Sequence, residues 1–289
     1  MRVSFAISLQ KTRFNAVAFQ ESLIPVLQEL KELGYDGVEL AVRNPQEIDR
    51  KGLVELVAQF GLQVPAIGTG QAFVEEGLSL SSLNSEIRRR AKERLKDHIL
   101  FASLFQSLVI IGLIRGVLPE DRKAKNEALS YFRESLKECA LFARERGIRM
   151  VIEPLNRYET NFLNTVEETV AFIDSLGCEN VGILADTFHM NIEEPNIPQA
   201  IAQAGALLWH FHIADSNRWA PGFGHLDFQP IFEELETQEY QGFVSAEIIQ
   251  KPSFQEAARK TMATLKGFLS LPKRSQNSRK PQTKQRKRE

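Results

Sequence analysis

Cysteine is scarce in the 289-residue sequence, which contains only Cys139 and Cys178. Two widely separated cysteines cannot form a disulfide framework or a four-thiolate zinc site, and they are typical of a reducing compartment. Long apolar runs are also missing, because the longest, Leu108 to Ile114, is far shorter than the ~20 residues that span a bilayer. The N-terminal residues turn polar quickly and lack the apolar segment of a secretory signal. These absences predict a cytoplasmic protein without a membrane segment.

Positive charge is concentrated at the C-terminus. Residues 273–289 carry eight Lys or Arg against one Glu and contain no apolar side chain that could be buried. We therefore predict a disordered basic tail over residues 272–289. The whole chain has a net charge of −1, so the remaining body is acidic. Basic runs bind polyanions weakly and nonspecifically, and we expect no nucleic-acid partner beyond such contacts by the tail.

Apolar runs of strand length alternate with amphipathic segments of helix length, which is typical of α/β proteins. Glycines are predicted to end three of the helices, at Gly34, Gly61 and Gly147. Eight β/α units predict a closed (β/α)8 TIM barrel, a single domain over residues 1–271. A doubly wound open sheet is the alternative, but no GxGxxG motif follows the first strand, so we expect no nucleotide cofactor. The predicted strands are residues 4–9, 38–42, 64–68, 108–113, 149–154, 181–186, 208–213 and 243–248.

Each of the last four predicted strands ends in a side chain that can bind a metal: Glu153, Asp186, His212 and Glu247. In a TIM barrel these strand ends meet at the catalytic face, so the four side chains are predicted to converge. Three converging carboxylates repel one another unless a cation lies between them. An oxygen-rich set with one imidazole suits Mn²⁺, Mg²⁺ or Co²⁺. His210 faces the same interior, and we expect it to be a buried, hydrogen-bonded group that supports the ligands.

Three further polar residues follow these strand ends in the loops: Glu159, His189 and Arg218. All three can hydrogen-bond a polyhydroxylated ligand, and Arg218 can also hold a carboxylate or phosphate. Trp219 and Phe223 are candidates for an apolar wall or lid over the site. The loops are therefore predicted to bind substrate.

The motifs of this region resemble the D-tagatose 3-epimerase family of the xylose-isomerase-like TIM barrels. The resemblance rests on VIEPLNRYETNFLNT, VGILADTFHMNIEEPNIP, HFHIADSNRWAPGFGHLDF and SAEII, with AIGTGQAFVEEGLSL and VIIGLIRG upstream. Within the family the segments are most similar to bacterial 5-keto-L-gluconate epimerases. The resemblance implies that one Mn²⁺-like ion is bound by Glu153, Asp186, His212 and Glu247. It also implies that the substrate is contacted by Glu159, His189 and Arg218.

This site chemistry predicts epimerisation through a cis-enediolate. A proton beside a ketone is acidic enough to remove only if the developing charge is stabilised, as a chelated metal does. Inversion also needs a proton donor and a proton acceptor on opposite faces, and Glu153 and Glu247 are the candidates. We expect a keto-sugar or keto-sugar acid of the 5-keto-L-gluconate or D-tagaturonate type. Arg218 would hold an acid end, with Arg157 and Arg115 as alternatives.

Several other functions stay open on this scaffold. A ketose 3-epimerase acting on neutral sugars or sugar phosphates would use the same residues, as would an aldose-ketose isomerase of the hydroxypyruvate type. A nuclease resembling endonuclease IV would need more metal-binding histidines than the five in this chain supply. A noncatalytic binding protein would have no need of all seven site residues. The oligomeric state is not determined by the sequence, which leaves a homo-oligomer open.

Overall fold

The computed structural model describes residues 1–17 and 22–269. Within them, eight parallel strands form a closed barrel in sequence order, and the first strand pairs with the last. This confirms the predicted TIM barrel. The predicted tail (272–289) and the domain boundary at residue 271 lie outside the described residues. The strands are β1 Arg2–Ser8, β2 Gly37–Ala41, β3 Ala66–Gly68, β4 Leu108–Ile111, β5 Met150–Ile152, β6 Val181–Asp186, β7 Leu208–Ile213 and β8 Phe243–Ala246.

Helices connect the strands along the outside of the barrel. The first of them, α1, is followed directly by Gly34 with a φ of 90°. A residue without a Cβ adopts this left-handed conformation at low cost, and the N–H groups of Gly34 and Tyr35 cap the helix carbonyls. Gly61 and Gly147, also at positive φ, follow the ends of α2 (Arg50–Gln59) and α5 (Arg122–Arg144), so the predicted helix ends are confirmed. The helices are α1 Leu23–Leu33, α2 Arg50–Gln59, α3 Gln71–Glu76, α4 Ser85–Ser103, α5 Arg122–Arg144, α6 Val166–Leu176, α7 Thr187–Glu193, α8 Ile197–Ala204, α9 Gln229–Thr237 and α10 Phe254–Leu269.

The barrel interior is divided between an apolar and a polar region. Its apolar part is a small cluster that includes Val151 and Leu184, with Trp209 packed against it. Glu153 and Asp186 lie two residues further along the chain than Val151 and Leu184, so their side chains point to the same interior, closer to the carboxyl ends of the strands. The apolar cluster therefore fills the barrel beneath the polar residues and leaves them at the catalytic face.

Five strands end before their predicted carboxyl ends, and in β5 and β8 the difference affects predicted metal ligands. β5 ends at Ile152 and β8 at Ala246, so Glu153 and Glu247 lie one residue beyond their strands. Pro154 follows Glu153 and has no N–H to continue the ladder, although the Glu153 N–H still donates to the carbonyl of Ile111 at 3.2 Å. Both carboxylates consequently stand at the mouth of the barrel. No helix in the described part of the chain is both long and apolar enough to cross a membrane.

Candidate metal centre and substrate cavity

The four predicted metal-binding side chains meet at the carboxyl end of the barrel. His212 Nδ1 is 3.7 Å from Glu153 Oε1, 3.8 Å from Asp186 Oδ2 and 4.0 Å from Glu247 Oε2. All four residues are buried, with at most 9% of their surface exposed. The structure thus brings together the residues that sequence spacing placed on four separate strands.

The donor atoms of this cluster fit a divalent cation. Glu153 Oε1, Asp186 Oδ2 and His212 Nδ1 are buried and have no hydrogen-bond partner. Two ligands that each lie about 2.1 Å from a shared ion are at most about 4.2 Å apart, which accommodates the separations from His212 Nδ1. Unpaired buried polar atoms are costly, and a cation would satisfy all three at once. The cluster is therefore a candidate metal site.

In the absence of a cation, burial disfavours the ionised form of the carboxylates Glu153 and Asp186. Desolvation raises the pKa of Glu153 to about 7, partly opposed by the nearby imidazole of His212. Desolvation likewise raises the pKa of Asp186 to about 6, although the charges of His212 and Arg218 oppose it. Protons and a metal ion therefore compete for the same oxygens.

We expect cation affinity to weaken as the pH falls through this range. Below about pH 6 the folded metal-free protein holds protons on Glu153 and Asp186 that the cation must displace. For each such proton the cation affinity should fall roughly tenfold per pH unit. The unfolded carboxyls have lower pKa values, so the metal-free protein should lose stability as the pH rises from about 4 to 7. The midpoint shift caused by Mn²⁺ in thermal unfolding should be larger at pH 8 than at pH 5.5. Equal shifts would mean that the carboxylates are ionised without the cation.

A second imidazole, that of His189, also approaches the carboxylates. Its Nε2 is 3.7 Å from Glu153 Oε1 and 3.8 Å from Asp186 Oδ2. Its Nδ1 accepts a hydrogen bond from the backbone N–H of Asn156 at 3.2 Å, so the neutral ring carries its hydrogen on Nε2. Burial and the nearby charge of Arg218 hold the pKa of His189 well below its usual value. The Nε2 hydrogen of His189 therefore faces the carboxylate cluster, and its contact with a substrate stays a prediction.

Arg218 links the metal cluster to the predicted substrate residue Glu159. Its Nη2 donates to Glu247 at 2.7 Å, and its Nη1 donates to Glu159 at 2.9 Å. The guanidinium carbon also lies 4.8 Å from the centre of the Phe188 ring. Arg218 itself has a φ of 62°, an uncommon conformation for a residue with a side chain. Such strain persists only where surrounding contacts impose it, and here the N–H of Ile249 donates to the Arg218 carbonyl at 2.7 Å.

A cavity opens beside the carboxylates at the mouth of the barrel. Its charged lining residues are Glu153, Glu159, Arg218 and Glu247. Trp219 and Phe223 are not among its lining residues, so they do not supply the predicted apolar wall; each keeps more than a third of its surface exposed. The apolar wall comes instead from Phe14, Val17, Leu113 and Leu155.

Sequence reasoning missed three residues that organise the site. Glu39 accepts hydrogen bonds from His210 and His212, and the predicted support by His210 passes through this carboxylate. Asn156 orients His189. Asp215 is 1% exposed and accepts backbone N–H groups of the loop that carries Arg218. Only Glu39 left a sequence signal, since a carboxylate at the centre of the apolar strand GVELA must be paired when buried.

Residues 27–268 match the sequence profile of the xylose isomerase-like TIM barrel family. The chain therefore belongs to that family, which confirms the wider family in which its motifs were predicted to fall.

Named relatives of this chain are sugar epimerases. A D-psicose 3-epimerase of Agrobacterium fabrum is 33% identical over 229 residues, covering 77% of this chain and 78% of the relative. A 3-dehydro-D-guloside 4-epimerase of Escherichia coli K12 is 30% identical over 244 residues, covering 80% of this chain and 88% of the relative. The crystal structure of a D-psicose 3-epimerase in the presence of D-fructose has a TM-score of 0.77 and 25% identity, covering 93% of this chain and 99% of that one. These relatives confirm the predicted class of enzyme, a carbohydrate epimerase or isomerase.

Proposed function

We propose that the protein is a divalent-metal-dependent epimerase of a keto-sugar. The observation that carries the proposal is the convergence of three buried carboxylates on the unpartnered Nδ1 of His212. Glu153, Asp186, His212 and Glu247 would hold one cation, with Mn²⁺ the best match to three oxygens and one nitrogen and Mg²⁺ or Co²⁺ as alternatives. When bound, a divalent cation supplies Lewis-acid polarisation of a carbonyl and stabilises negative charge on oxygen.

Glu153 and Glu247 are proposed to move the proton. They follow β5 and β8, on separate parts of the barrel wall, and both line the cavity. One carboxylate removes the proton beside the substrate carbonyl to give an enediolate. The other, which enters the step as the carboxylic acid, gives its proton to the opposite face. Arg218 donates a hydrogen bond to Glu247 at 2.7 Å, whereas Glu153 Oε1 is buried and has no hydrogen-bond partner. The two carboxylates therefore have different environments, which suits different roles in the proton transfer.

The remaining polar residues are proposed to orient the substrate. His189 has its Nε2 hydrogen free to donate to a substrate oxygen, because Asn156 occupies Nδ1. Arg218 retains one unpartnered buried donor, Nε, beside the cavity. Glu159 accepts from Arg218 and can accept from a sugar hydroxyl as well. These contacts would hold the reacting carbon between the two carboxylates.

Isotope incorporation tests the proposal directly. Metal-loaded protein incubated in D₂O with a panel of ketoses and ketouronates should place deuterium on the carbon beside the carbonyl and yield the epimer. Formation of an aldose would identify an aldose-ketose isomerase instead. The absence of exchange with every compound, in protein shown to contain the cation, would contradict an enzyme of this type.

Within this class we propose that the substrate is a six-carbon keto-sugar acid. The enzyme would interconvert 5-keto-L-gluconate and D-tagaturonate. Support comes from the motif resemblance of residues 66–80 and 210–228 to the keto-acid epimerases. A substrate carboxylate needs a cation, and Arg218 is the arginine that lines the cavity. Arg157 is exposed and paired with Glu193, while Arg115 is fully buried and donates to the carbonyl of Glu153.

Replacing Arg218 by alanine is expected to reduce kcat/KM for the ketouronate about 30- to 150-fold, which corresponds to losing a charge-assisted pair of about 2 to 3 kcal/mol. The loss should be smaller for D-tagatose or D-fructose, which have no carboxylate. Steady-state kinetics on both substrates, with the metal content checked, measures the difference. Equal fractional losses would limit Arg218 to contacts with shared hydroxyls. A wild-type preference for the neutral ketose would contradict the acid substrate.

We further propose a cytoplasmic location. Both cysteines are free thiols, and Cys139 is buried within α5, where burial raises the pKa of its thiol to about 12. An unreactive buried thiol and an unpaired second cysteine are typical of a reducing compartment.

A further inference from the structure

A fourth carboxylate lies inside the barrel, behind the predicted metal ligands. Glu39 is on β2, is 2% exposed, and does not line the substrate cavity. Its Oε1 is 2.9 Å from Nε2 of His212, and its Oε2 is 2.7 Å from Nε2 of His210. One buried carboxylate therefore joins two imidazoles across the barrel, far apart in the sequence.

These two contacts determine which nitrogen of His212 faces the cluster. An ionised carboxylate only accepts hydrogen bonds, so the His212 nitrogen beside Glu39 must carry the hydrogen. In the neutral ring the other nitrogen, Nδ1, then has a free lone pair. That atom is buried, unpartnered and 3.7 to 4.0 Å from one oxygen each of Glu153, Asp186 and Glu247.

We infer that Glu39 is a positioning residue that orients His212 and sets its tautomer for cation binding. His210 anchors the second oxygen of Glu39 and so fixes the plane of the carboxylate. The inference rests on the proposed function, because it assigns His212 to the metal site. Glu39 does not touch the substrate cavity, so its effect should fall on metal affinity rather than on the proton-transfer step.

The spacing of the Glu39, His210 and His212 group distinguishes this role from that of a second cation site. These three residues also offer ligand atoms close enough to share an ion. Their separations of 2.7 and 2.9 Å are ordinary hydrogen-bond lengths, however, and each pairs a nitrogen with an oxygen. Two ligands of one ion would usually lie about 3 Å or more apart.

The test is the Mn²⁺ dissociation constant of Glu39→Gln, measured by titration of metal-free protein. Glutamine keeps the side-chain shape but removes the charge, and its NH₂ group, placed where one carboxylate oxygen now accepts, opposes an imidazole N–H. We expect Mn²⁺ binding to weaken about 10- to 100-fold, with kcat at saturating Mn²⁺ within about threefold of wild type. His98→Gln is the control, since His98 is fully buried and bonded to two backbone carbonyls, of Arg94 and Val42, outside the cluster. It should leave Mn²⁺ affinity unchanged even if stability falls.

A second variant and a spectroscopic measurement complete the test. If Glu39→Gln fails to fold, Glu39→Asp is titrated with Mn²⁺ instead, and the same weakening of binding is expected. Aspartate retains the charge but is too short to keep both contacts. Ring ¹⁵N spectra of wild type should show His212 Nε2 carrying a hydrogen that is bonded to Glu39, and Glu39→Gln should show a shifted Nε2 signal.

Three results would overturn or separate the hypotheses. Mn²⁺ affinity within threefold of wild type in a folded Glu39 variant would overturn the positioning role while leaving the proposed function intact. Binding of two ions by wild type, with one lost in Glu39→Gln, would replace the positioning role by a second cation site. Failure of wild type itself to bind Mn²⁺ would instead remove the proposed function and the inference together.

Discussion

Replacement of Asp186 by asparagine is expected to abolish metal retention and to reduce turnover by about 10³-fold or more. Asp186 is fully buried at the end of β6, and its two oxygens have different partners. Oδ1 accepts the Phe188 N–H at 2.7 Å, where it caps α7, whereas Oδ2 is unpartnered and faces the candidate metal site. Asparagine can retain the cap through its oxygen but presents an uncharged NH₂ group to the cation.

Elemental analysis after identical dialysis of wild type and Asp186→Asn measures the effect. Asp227→Asn is a matched control, because Asp227 accepts the Gln229 N–H at 3.1 Å in an exposed loop. The control should retain wild-type metal content and activity. Wild-type metal content in Asp186→Asn would remove Asp186 from the ligand set.

Metal-free wild type should also unfold at lower temperature than the metal-loaded protein, since a ligand bound only by the folded state adds to its stability.

Glutamine at either Glu153 or Glu247 is expected to lower substrate proton exchange by about 10²- to 10⁴-fold, the range for loss of a general acid or base. An amide cannot accept the substrate proton, yet glutamine preserves the size of each side chain. Because both residues are also proposed ligands, the measurement must be made at saturating Mn²⁺ with the bound metal quantified. The readout is deuterium exchange at the carbon beside the carbonyl.

Glu194→Gln is the control for this pair. Glu194 is partly buried and accepts the Val166 N–H at 2.7 Å, away from the cavity. It should exchange at the wild-type rate. If both Glu153→Gln and Glu247→Gln also keep that rate while loaded with metal, the two-carboxylate assignment is wrong. A different loss in the two variants, depending on which epimer is supplied, would instead assign each carboxylate to one face of the substrate.

The difference between predicted and observed strand ends shows the limits of local pattern. Residues 149–154 all suit a strand, but Pro154 lacks an N–H and β5 ends at Ile152. At β8 the apolar pattern continues to Ile248, yet the Ile249 N–H donates to the Arg218 carbonyl and the chain leaves the sheet. Apolar periodicity reports burial, and burial continues past the last ladder hydrogen bond.

Glu39 and Asp215, the two buried acidic residues that sequence reasoning missed, differ in what the sequence indicates about them. Glu39 lies within an apolar strand, which signals a buried and paired charge but not its partner. His210 and His212 lie more than 170 positions away along the chain and become its partners only when the barrel closes. Asp215 resembles any loop aspartate, and its role depends on a loop conformation that no local pattern specifies.

The sequence by itself determined the eight β/α units, and with them the edge at which Glu153, Asp186, His212 and Glu247 gather. Strand periodicity is local, and parallel strands in a barrel place their carboxyl ends on one face. Only the tertiary structure decided the tautomer of His189, the sharing of Arg218 between Glu159 and Glu247, and the orientation of His212 by Glu39. Each of these depends on distances of about 3 Å between side chains remote in sequence, which are set by how the barrel packs.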